Sequence, residues 1–182
     1  MNIRFPLRSV FLAIPLEGEA KQTYIDLQGR LAEFGAVLQF QNPESPHLTL
    51  QFWHEVLEIE YGQIIPQAGK ISTATESFTV KSEGVATFGD RGNDRVLFLG
   101  VPFDENLARL KKRFPWPSPQ PFSPHITLAW IKHPQRFTVV KKKVMKILSD
   151  ASFTIHADQL RLYAEIEGQK QTVMRDFLFT TV

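Results

Sequence analysis

Two histidines and two threonines occur within a hexapeptide that the chain contains twice. SPHLTL spans residues 45–50 and SPHITL spans residues 123–128. A pair of imidazoles facing each other across a groove suits general acid–base catalysis, because a ring with an unperturbed pKa near ~6.5 can take or give a proton at neutral pH. Neighbouring hydroxyls can donate hydrogen bonds to phosphate oxygens and stabilise the charge of a transition state. The pattern predicts proton transfer at a phosphate, with no protein nucleophile required.

Each hexapeptide predicts the start of a β-strand. The residue before a proline favours extended geometry, and the four residues that follow alternate polar and apolar side chains. His and Thr therefore lie on one face of each strand, and the aliphatic residues lie on the other. A repeat without chemistry would preserve its core face and vary on the other. Here the polar face, His and Thr, is identical in both copies, which favours a functional pair.

Composition narrows the class of protein. The 182 residues are enough for one domain or two small lobes, and the net charge of +2 suits a small anionic ligand better than a long duplex. The absence of cysteine excludes disulfides, zinc–thiolate sites and thiol catalysis. No apolar run approaches the ~18 residues of a membrane span, and residues 1–8 lack the apolar core of a signal peptide. We expect a cytoplasmic monomer that does not bind membranes.

Metal catalysis is the main rival chemistry for paired histidines. Neither His47 nor His125 has an Asp, a Glu or a second His at ligand spacing along its strand. The chain also lacks the GxSxG motif of serine hydrolases and the GxxxxGK[ST] phosphate loop. We therefore expect no metal and no cofactor.

Hydrophobic periodicity predicts an α+β fold with antiparallel sheets and helices outside, in which each half supplies one motif strand. Helices are predicted over 17–34 with a cap at Gly35, over 56–70 with an interruption at Pro66, after a cap at Asp104, and over 140–151. Strands are predicted over 10–14, 37–40, 47–53, 78–88 with a bulge at Gly84, 95–101, 125–131, 153–155, 160–163 and 173–179.

Together these residues resemble the 2H phosphoesterase superfamily, and within it the RNA 2′,3′-cyclic phosphodiesterases, also called the 2′-5′ RNA ligase family. The two His-x-Thr-x motifs carry the likeness, and it extends over nearly the whole chain. Residues 8–14 resemble the opening strand of the family, 95–100 a central strand, 124–129 the second motif and 160–163 the closing strand.

The resemblance implies that residues 1–182 form a single domain of two pseudo-symmetric lobes, each with one motif, whose sheets line a central groove. It implies metal-independent opening of 2′,3′-cyclic phosphates, on RNA ends or small nucleotides, to 2′-phosphates. By position, His47 and His125 are the catalytic pair, and Thr49 and Thr127 bind the phosphate. We expect His125 to activate water and His47 to protonate the leaving 3′ oxygen, and the reverse assignment remains open.

Sequence leaves alternatives open as well. An enzyme for ADP-ribose 1″,2″-cyclic phosphate or for 2′-5′ oligonucleotides would use the same four side chains, and a non-catalytic RNA-binding module is a further alternative. Phe122 and Trp130 are candidates for stacking on a base. The other aromatic and basic candidates are expected to be core or surface residues: Trp53, Trp116, Tyr163, His54, His133, His156 and the lysines around Lys141.

Position 130 departs from the family. Many members continue the second motif as His-x-Thr-Leu-x-Arg, whereas this chain has Trp130, which cannot supply a bidentate charged donor. Strand alternation places Trp130 opposite to His125 unless a bulge intervenes, and Lys132 is an alternative source of charge. We expect efficient hydrolysis of cyclic phosphates with feeble 2′-5′ ligation.

Overall fold

The computed structural model describes residues 3–118 and 121–181, and it confirms the α+β class. The helices are α1 Gly18–Gly29, α2 Glu58–Thr73, α3 Glu105–Lys112 and α4 Pro134–Ile147, with a 3₁₀ turn at Ala32–Phe34. The strands are β1 Leu7–Pro15, β2 Leu38–Phe40, β3 His47–Val56, β4 Phe78–Glu83, β5 Val85–Asp90, β6 Asn93–Gly100, β7 His125–Ile131, β8 Ser152–Ala157, β9 Gln159–Ile166 and β10 Gln169–Leu178.

The two motif strands lie in different four-stranded antiparallel sheets. The first sheet has the order β10-β9-β1-β3 and the second has the order β2-β7-β6-β5, while β4 and β8 form a separate pair. Each large sheet contains strands from both halves of the sequence, because β9 and β10 join β1 and β3, and β2 joins β7. Motif strand β3 is therefore an edge strand, whereas motif strand β7 has a neighbour on each side.

Aliphatic side chains of both motifs anchor the strands in the main core. Leu48 and Ile126, which follow the two histidines, are both 0% exposed. Thr49 and Thr127 are only partly buried on the opposite face. The predicted alternation over the first four residues of each motif strand is confirmed.

The predicted helix over 17–34 is too long. Helix α1 ends at Gly29, and a separate 3₁₀ turn then covers Ala32–Phe34. Glycine costs more backbone entropy in a helix than any other residue, which favours a break at Gly29. Gly35 ends the 3₁₀ turn with φ −56°, so it is not the left-handed cap that the sequence suggested.

Helix α2 continues through Pro66, contrary to the predicted interruption. A proline ring inside a helix crowds the carbonyl group four residues earlier, here that of Gly62. A glycine backbone is the most adaptable at that position, which allows the helix to continue.

Gly84 separates two strands instead of forming a bulge within one. It has φ +79°, a left-handed conformation that glycine adopts without steric cost. Before it, β4 pairs with β8, and after it, β5 pairs with β6. The single strand predicted over 78–88 is therefore wrong, because the chain changes sheets at this glycine.

Helix α4 begins six residues earlier than predicted, with Pro134 in its first turn and His133 as N-cap. Proline suits that position because its missing N–H has no partner within the helix anyway. Lys141 on this helix donates to the Asp94 carboxylate at 2.9 Å, so it is not simply a solvated lysine. The predicted cap of α3 is confirmed, since the Asp104 side chain accepts from the Leu107 N–H.

No helix among residues 3–118 and 121–181 is long and apolar enough to cross a membrane.

Candidate active site

The two histidines are held in the same way at the start of their strands. The Nδ1 atom of His47 lies 2.7 Å from the Ser45 carbonyl oxygen, and Nδ1 of His125 lies 2.8 Å from the Ser123 carbonyl oxygen. A carbonyl only accepts, so Nδ1 carries the proton and donates it, which leaves Nε2 free for acid–base chemistry. Sequence reasoning missed this role of the serine carbonyl, although the repeated Ser-Pro pair was its signal.

Each motif ends in a β-bulge at its sixth residue. On β3 the pairing with β1 shifts so that Leu50 has no partner, and on β7 the pairing with β6 shifts so that Leu128 has none. An extra residue reverses the alternation of side chains beyond it. Two nearly identical hexapeptides therefore produce the same local distortion in two different sheets.

The bulge brings Trp130 onto the same face as His125. Trp130 pairs with Val96, and Thr127 pairs with Phe98, two residues further along β6. Val96 and Phe98 share a face by strand alternation, and Phe98 contacts the His125 ring. The simple parity argument for position 130 is thus wrong, and the bulge is the reason. Trp130 is 49% exposed there.

Polar side chains from two helices bind the carbonyl oxygens at the bulges. Lys111 on α3 donates from Nζ to the Leu50 carbonyl oxygen at 2.7 Å, and Gln28 on α1 donates from Nε2 to the Leu128 carbonyl oxygen at 3.0 Å. The Tyr24 hydroxyl donates to the Thr127 carbonyl oxygen at 2.8 Å. These helix-borne donors fix the backbone on which the two threonines sit, and sequence reasoning found none of them.

His47 lies in a closed aromatic environment. Its ring stacks on Phe11 with centroids 4.7 Å apart and lies 5.5 Å from the ring of Tyr163, and only 9% of the residue is exposed. Burial lowers the pKa of His47 to about 4, against the opposing effect of the Ser45 carbonyl, and a charge on His125 lowers it further. His47 is therefore neutral at pH 7.

His125 lies in a more open environment. Phe88 and Phe98 approach its ring at steep angles, with centroids 4.8 Å and 5.4 Å away. The ring is only partly buried, and it borders a solvent-open cavity. Water and small solutes can therefore reach His125 more easily than His47.

The cavity has a volume of about 530 Å³, and residues of both motif strands line it. This volume is within the ~300–1,000 Å³ range of small-molecule sites. We call it the groove, and its wall comprises Thr49, Leu50, Gln51, Phe52, His54, Phe88, Ser118, Pro121, Phe122, Ser123 and His125. The structure thus brings together Thr49, His125 and Phe122 as expected. His47, Thr127 and Trp130 are not part of this wall.

His54 and Phe52 line the groove, although the sequence suggested no role for them. Phe52 is 44% exposed and occupies the position in the first motif strand that Trp130 occupies in the second. Both residues lie on this face because of the bulge at Leu50, and the hexapeptide alone does not reveal that bulge.

Other sequence candidates lie elsewhere. Trp53 and Trp116 pack edge to face with centroids 5.2 Å apart. Tyr163 is the exception, because it is fully buried beside the His47 ring. The Nζ atom of Lys132 donates to the Gly35 carbonyl oxygen at 2.6 Å, so its charge is engaged there. His156 is an exposed residue of β8.

Among residues 3–118 and 121–181, no three His, Asp or Glu side chains come together in a way that could hold a metal ion. The groove presents imidazole, hydroxyl, amide and aromatic groups instead.

These features match a known family. The profile described as LigT like Phosphoesterase matches residues 14–98 and 100–173, which is most of the chain. The chain belongs to this family of 2H phosphoesterases, and its fold is the bilobal fold of that family.

Three similar proteins have the same name. A protein from Archaeoglobus fulgidus named RNA 2′,3′-cyclic phosphodiesterase is 25% identical over 174 residues, covering 92% of this chain and 96% of that protein. One of the same name from Aquifex aeolicus is 32% identical over 107 residues, covering 53% and 57%. A third protein of the same name comes from Geobacillus stearothermophilus, and this chain spans only 40% of its length. A crystal structure from Thermus thermophilus has TM-score 0.74 at 22% identity, with 94% and 97% of the two chains covered.

Proposed function

We propose that this protein hydrolyses 2′,3′-cyclic phosphates of RNA ends or small nucleotides to 2′-phosphates without a metal ion. The observation that carries the proposal is the matched pair of imidazoles, each with Nδ1 bound to a serine carbonyl oxygen and Nε2 free, beside hydroxyls on strands that border one groove. The names of the relatives support the choice of substrate.

The surroundings of the two rings favour different roles. His47 is neutral at pH 7 because burial lowers its pKa to about 4, so its Nε2 atom can accept a proton from the attacking water but holds none to give, which fits the base and not the acid. His125 then acts as the acid. The P–O3′ bond breaks as water attacks phosphorus, and Nε2 of His125 gives its proton to O3′. This assignment is the reverse of the one that we first expected from the sequence.

The two threonines complete the proposed mechanism. Thr49 and Thr127 lie two residues after the histidines, and their hydroxyls would donate to the non-bridging oxygens as negative charge builds up on them. Because donors from α1 and α3 fix the backbone at both bulges, the hydroxyls need little reorganisation during the reaction.

For the nucleobase, we propose Phe122 as the main stacking surface, because it lines the groove beside His125. Trp130 is half exposed on the same face as His125 and is the second candidate. Both side chains tolerate any base, since every base offers a π-face.

A panel of cyclic phosphates tests the function directly. We expect nucleoside 2′,3′-cyclic phosphates to give only the 2′-phosphate by phosphorus NMR, with the rate unchanged by EDTA. Formation of the 3′-phosphate would overturn the proposed orientation of the substrate. A rate that EDTA abolishes and Zn²⁺ or Mn²⁺ restores would overturn the metal-free mechanism. Preferential turnover of ADP-ribose 1″,2″-cyclic phosphate or of 2′-5′ oligonucleotides would identify a different member of the class.

Ligation is proposed to be weak. Joining two RNA ends requires a second strand to be held at the phosphate, and Trp130 supplies no charge there. Because the bulge brings position 130 to the face of His125, Trp130→Arg should raise 2′-5′ ligation while cyclic phosphate hydrolysis changes little. Val139→Arg, at an exposed residue of α4 outside the groove wall, is the matched control and should change neither reaction. Strong ligation by the unmodified protein would contradict this interpretation.

We interpret residues 1–182 as one domain whose two four-stranded sheets are the two pseudo-symmetric lobes, with one motif each. We further propose that the protein acts as a monomer in the cytoplasm. Sedimentation analysis and cell fractionation test these two points.

A further inference from the structure

We propose that a second cavity, beside the groove, binds the base of the nucleotide on the 5′ side of the cyclic phosphate, so that the preferred substrate is an RNA 3′ end. This inference rests on the proposed function and specifies its substrate class. The cavity has a volume of about 390 Å³, and its wall includes Val101, Phe103, Asp104, Leu107, Phe122 and Ser123. We call it the side cavity.

The side cavity adjoins the groove. Phe122 and Ser123 belong to the walls of both, so these two residues lie between the two spaces. A cyclic phosphate terminates the 3′ end of an RNA, and the chain continues only from the 5′ oxygen of the last nucleotide. An RNA whose last base lies in the groove can therefore pass Phe122 and reach the side cavity with its next base.

Phe103 gives the side cavity an aromatic surface that the protein itself does not use. It is 83% exposed, although a large apolar side chain is costly to leave in water. Stacking on aromatic rings is the usual way in which proteins hold the bases of single strands without sequence preference. Phe103 and Phe122 together provide two such rings along one path.

The charge of the wall favours a base over a phosphate. The Asp104 carboxylate lines the side cavity, and its Oδ1 atom caps α3 by accepting the Leu107 N–H at 2.8 Å. A carboxylate repels a phosphate group but can accept a hydrogen bond from a ring N–H or an exocyclic amine. The occupant that fits an aromatic wall with one carboxylate is therefore a nucleobase.

Both rings lie close to helix α3. Phe103 precedes the capped start of α3, whose Leu107 is 1% exposed in the core. On the same helix, Nζ of Lys111 lies 5.5 Å from the centre of the Phe122 ring, close enough for a cation–π contact.

The test compares a nucleoside 2′,3′-cyclic phosphate with a dinucleotide that carries the same cyclic phosphate at its 3′ end. We expect the unmodified protein to show a higher kcat/KM for the dinucleotide. Phe103→Ala should reduce that advantage by about fivefold or more, which is the lower end of the range for removing one stacking ring, and should leave the mononucleotide rate unchanged. Phe103→Trp should retain the advantage. Val139→Ala, at an equally exposed apolar residue of α4, is the matched control.

Several outcomes would overturn the inference. Equal kcat/KM for the two substrates, or an equal loss on both in Phe103→Ala, would show that no second base is bound at Phe103. A change of oligomeric state in Phe103→Ala would instead assign the exposed ring to contacts between copies of the chain. If neither substrate is hydrolysed, the proposed function itself fails, and that result is distinct from equal turnover of both.

Discussion

The two motifs have nearly identical sequences but different surroundings. His47 stacks on Phe11, lies beside the tilted ring of Tyr163 and is buried. His125 meets Phe88 and Phe98 at steep angles and borders the groove. Both make the same bond from Nδ1 to a serine carbonyl oxygen. The hexapeptide thus sets the orientation of each ring, and residues on neighbouring strands set its exposure.

The position of each strand in its sheet does not explain this difference. Strand β3 lies at an edge and β7 lies inside its sheet, yet the histidine of the edge strand is the more buried one. The cause is aromatic residues on β1 and β9, which lie on the same face as His47. The first motif also makes a hydrogen bond of its own, in which the Ser45 hydroxyl donates to the Gln171 side chain at 2.5 Å. Asymmetric neighbours therefore give two nearly identical motifs different surroundings, which the proposed division into base and acid requires.

The largest expected effect is the loss of either histidine. His47→Ala and His125→Ala should each lower turnover of a cyclic phosphate by about 10²–10⁴-fold, because a general acid or base contributes that much. The double variant should lose far less than the product of the two, since groups that act as a unit are not additive. A rate close to that of the unmodified protein in either single variant would place the active site elsewhere.

A change of leaving group separates the two roles. A cyclic phosphate with sulfur in place of the 3′ oxygen expels a thiolate, which needs much less help from an acid than an alkoxide does. We expect this substrate to restore much of the rate in His125→Ala but not in His47→Ala. Rescue of His47→Ala alone would reverse the assignment and make His47 the acid.

The depressed basicity of His47 should also appear in the dependence of stability on pH. Its pKa is about 4 in the folded protein and near ~6.5 in an unfolded chain, so the unfolded chain binds more protons between these values. The free energy of unfolding is therefore highest above pH ~6.5 with respect to this group, and it falls by about 3 kcal/mol as the pH drops to about 4.

Chemical denaturation across that pH window measures the effect. His47→Gln should flatten the slope of the unfolding free energy, whereas His54→Gln, at an exposed histidine of the same strand, should not. If His47 is the base, kcat/KM should also rise with pH through about 4, because the ring must be neutral to accept a proton. An unchanged slope in His47→Gln would show that the ring is solvated in the folded protein.

Local sequence was sufficient to predict the parts of the fold with a local cause. The Ser-Pro lead, the alternation after it and the Asp104 cap are confirmed because each depends on residues within a few positions. The bulges at Leu50 and Leu128 could not be predicted, because a bulge is a property of two strands and only one of them carries the motif. The parity error at position 130 follows directly from that.

The environment of the candidate site depends on contacts distant in sequence. Tyr163 lies beside His47, and Gln28 lies beside Leu128, only after β9 and α1 have packed in place. The exchange of strands between the two halves was likewise invisible, because the repeat suggested that each half folds onto itself. The sequence was enough to single out the candidate residues, but not to show how their surroundings differ.

The smallest predicted effects concern the hydrogen bonds from Lys111 and Gln28 to the carbonyl oxygens at the two bulges. Loss of the first should cost more than loss of the second. Lys111→Met removes a charged donor from the Leu50 carbonyl oxygen, a loss of about 1.5–3 kcal/mol in stability. Gln28→Leu should cost less, because it removes neutral donors from the Gln41 and Leu128 carbonyl oxygens and the latter keeps the Gln41 N–H at 3.0 Å. If the hydrogen bond from Lys111 positions Thr49, Lys111→Met should also lower kcat by up to about tenfold with KM little changed, since the misplaced hydroxyl meets the charge of the transition state.

Lys112→Met, at the exposed neighbouring lysine of α3, is the matched control and should change neither stability nor kcat. Rates are compared per folded molecule, at a temperature well below the unfolding midpoint of each variant. A lower midpoint with unchanged kcat would make Lys111 purely structural. A larger loss of kcat in Gln28→Leu than in Lys111→Met would contradict the asymmetry, because the second motif would then depend more strongly on its helix than the first.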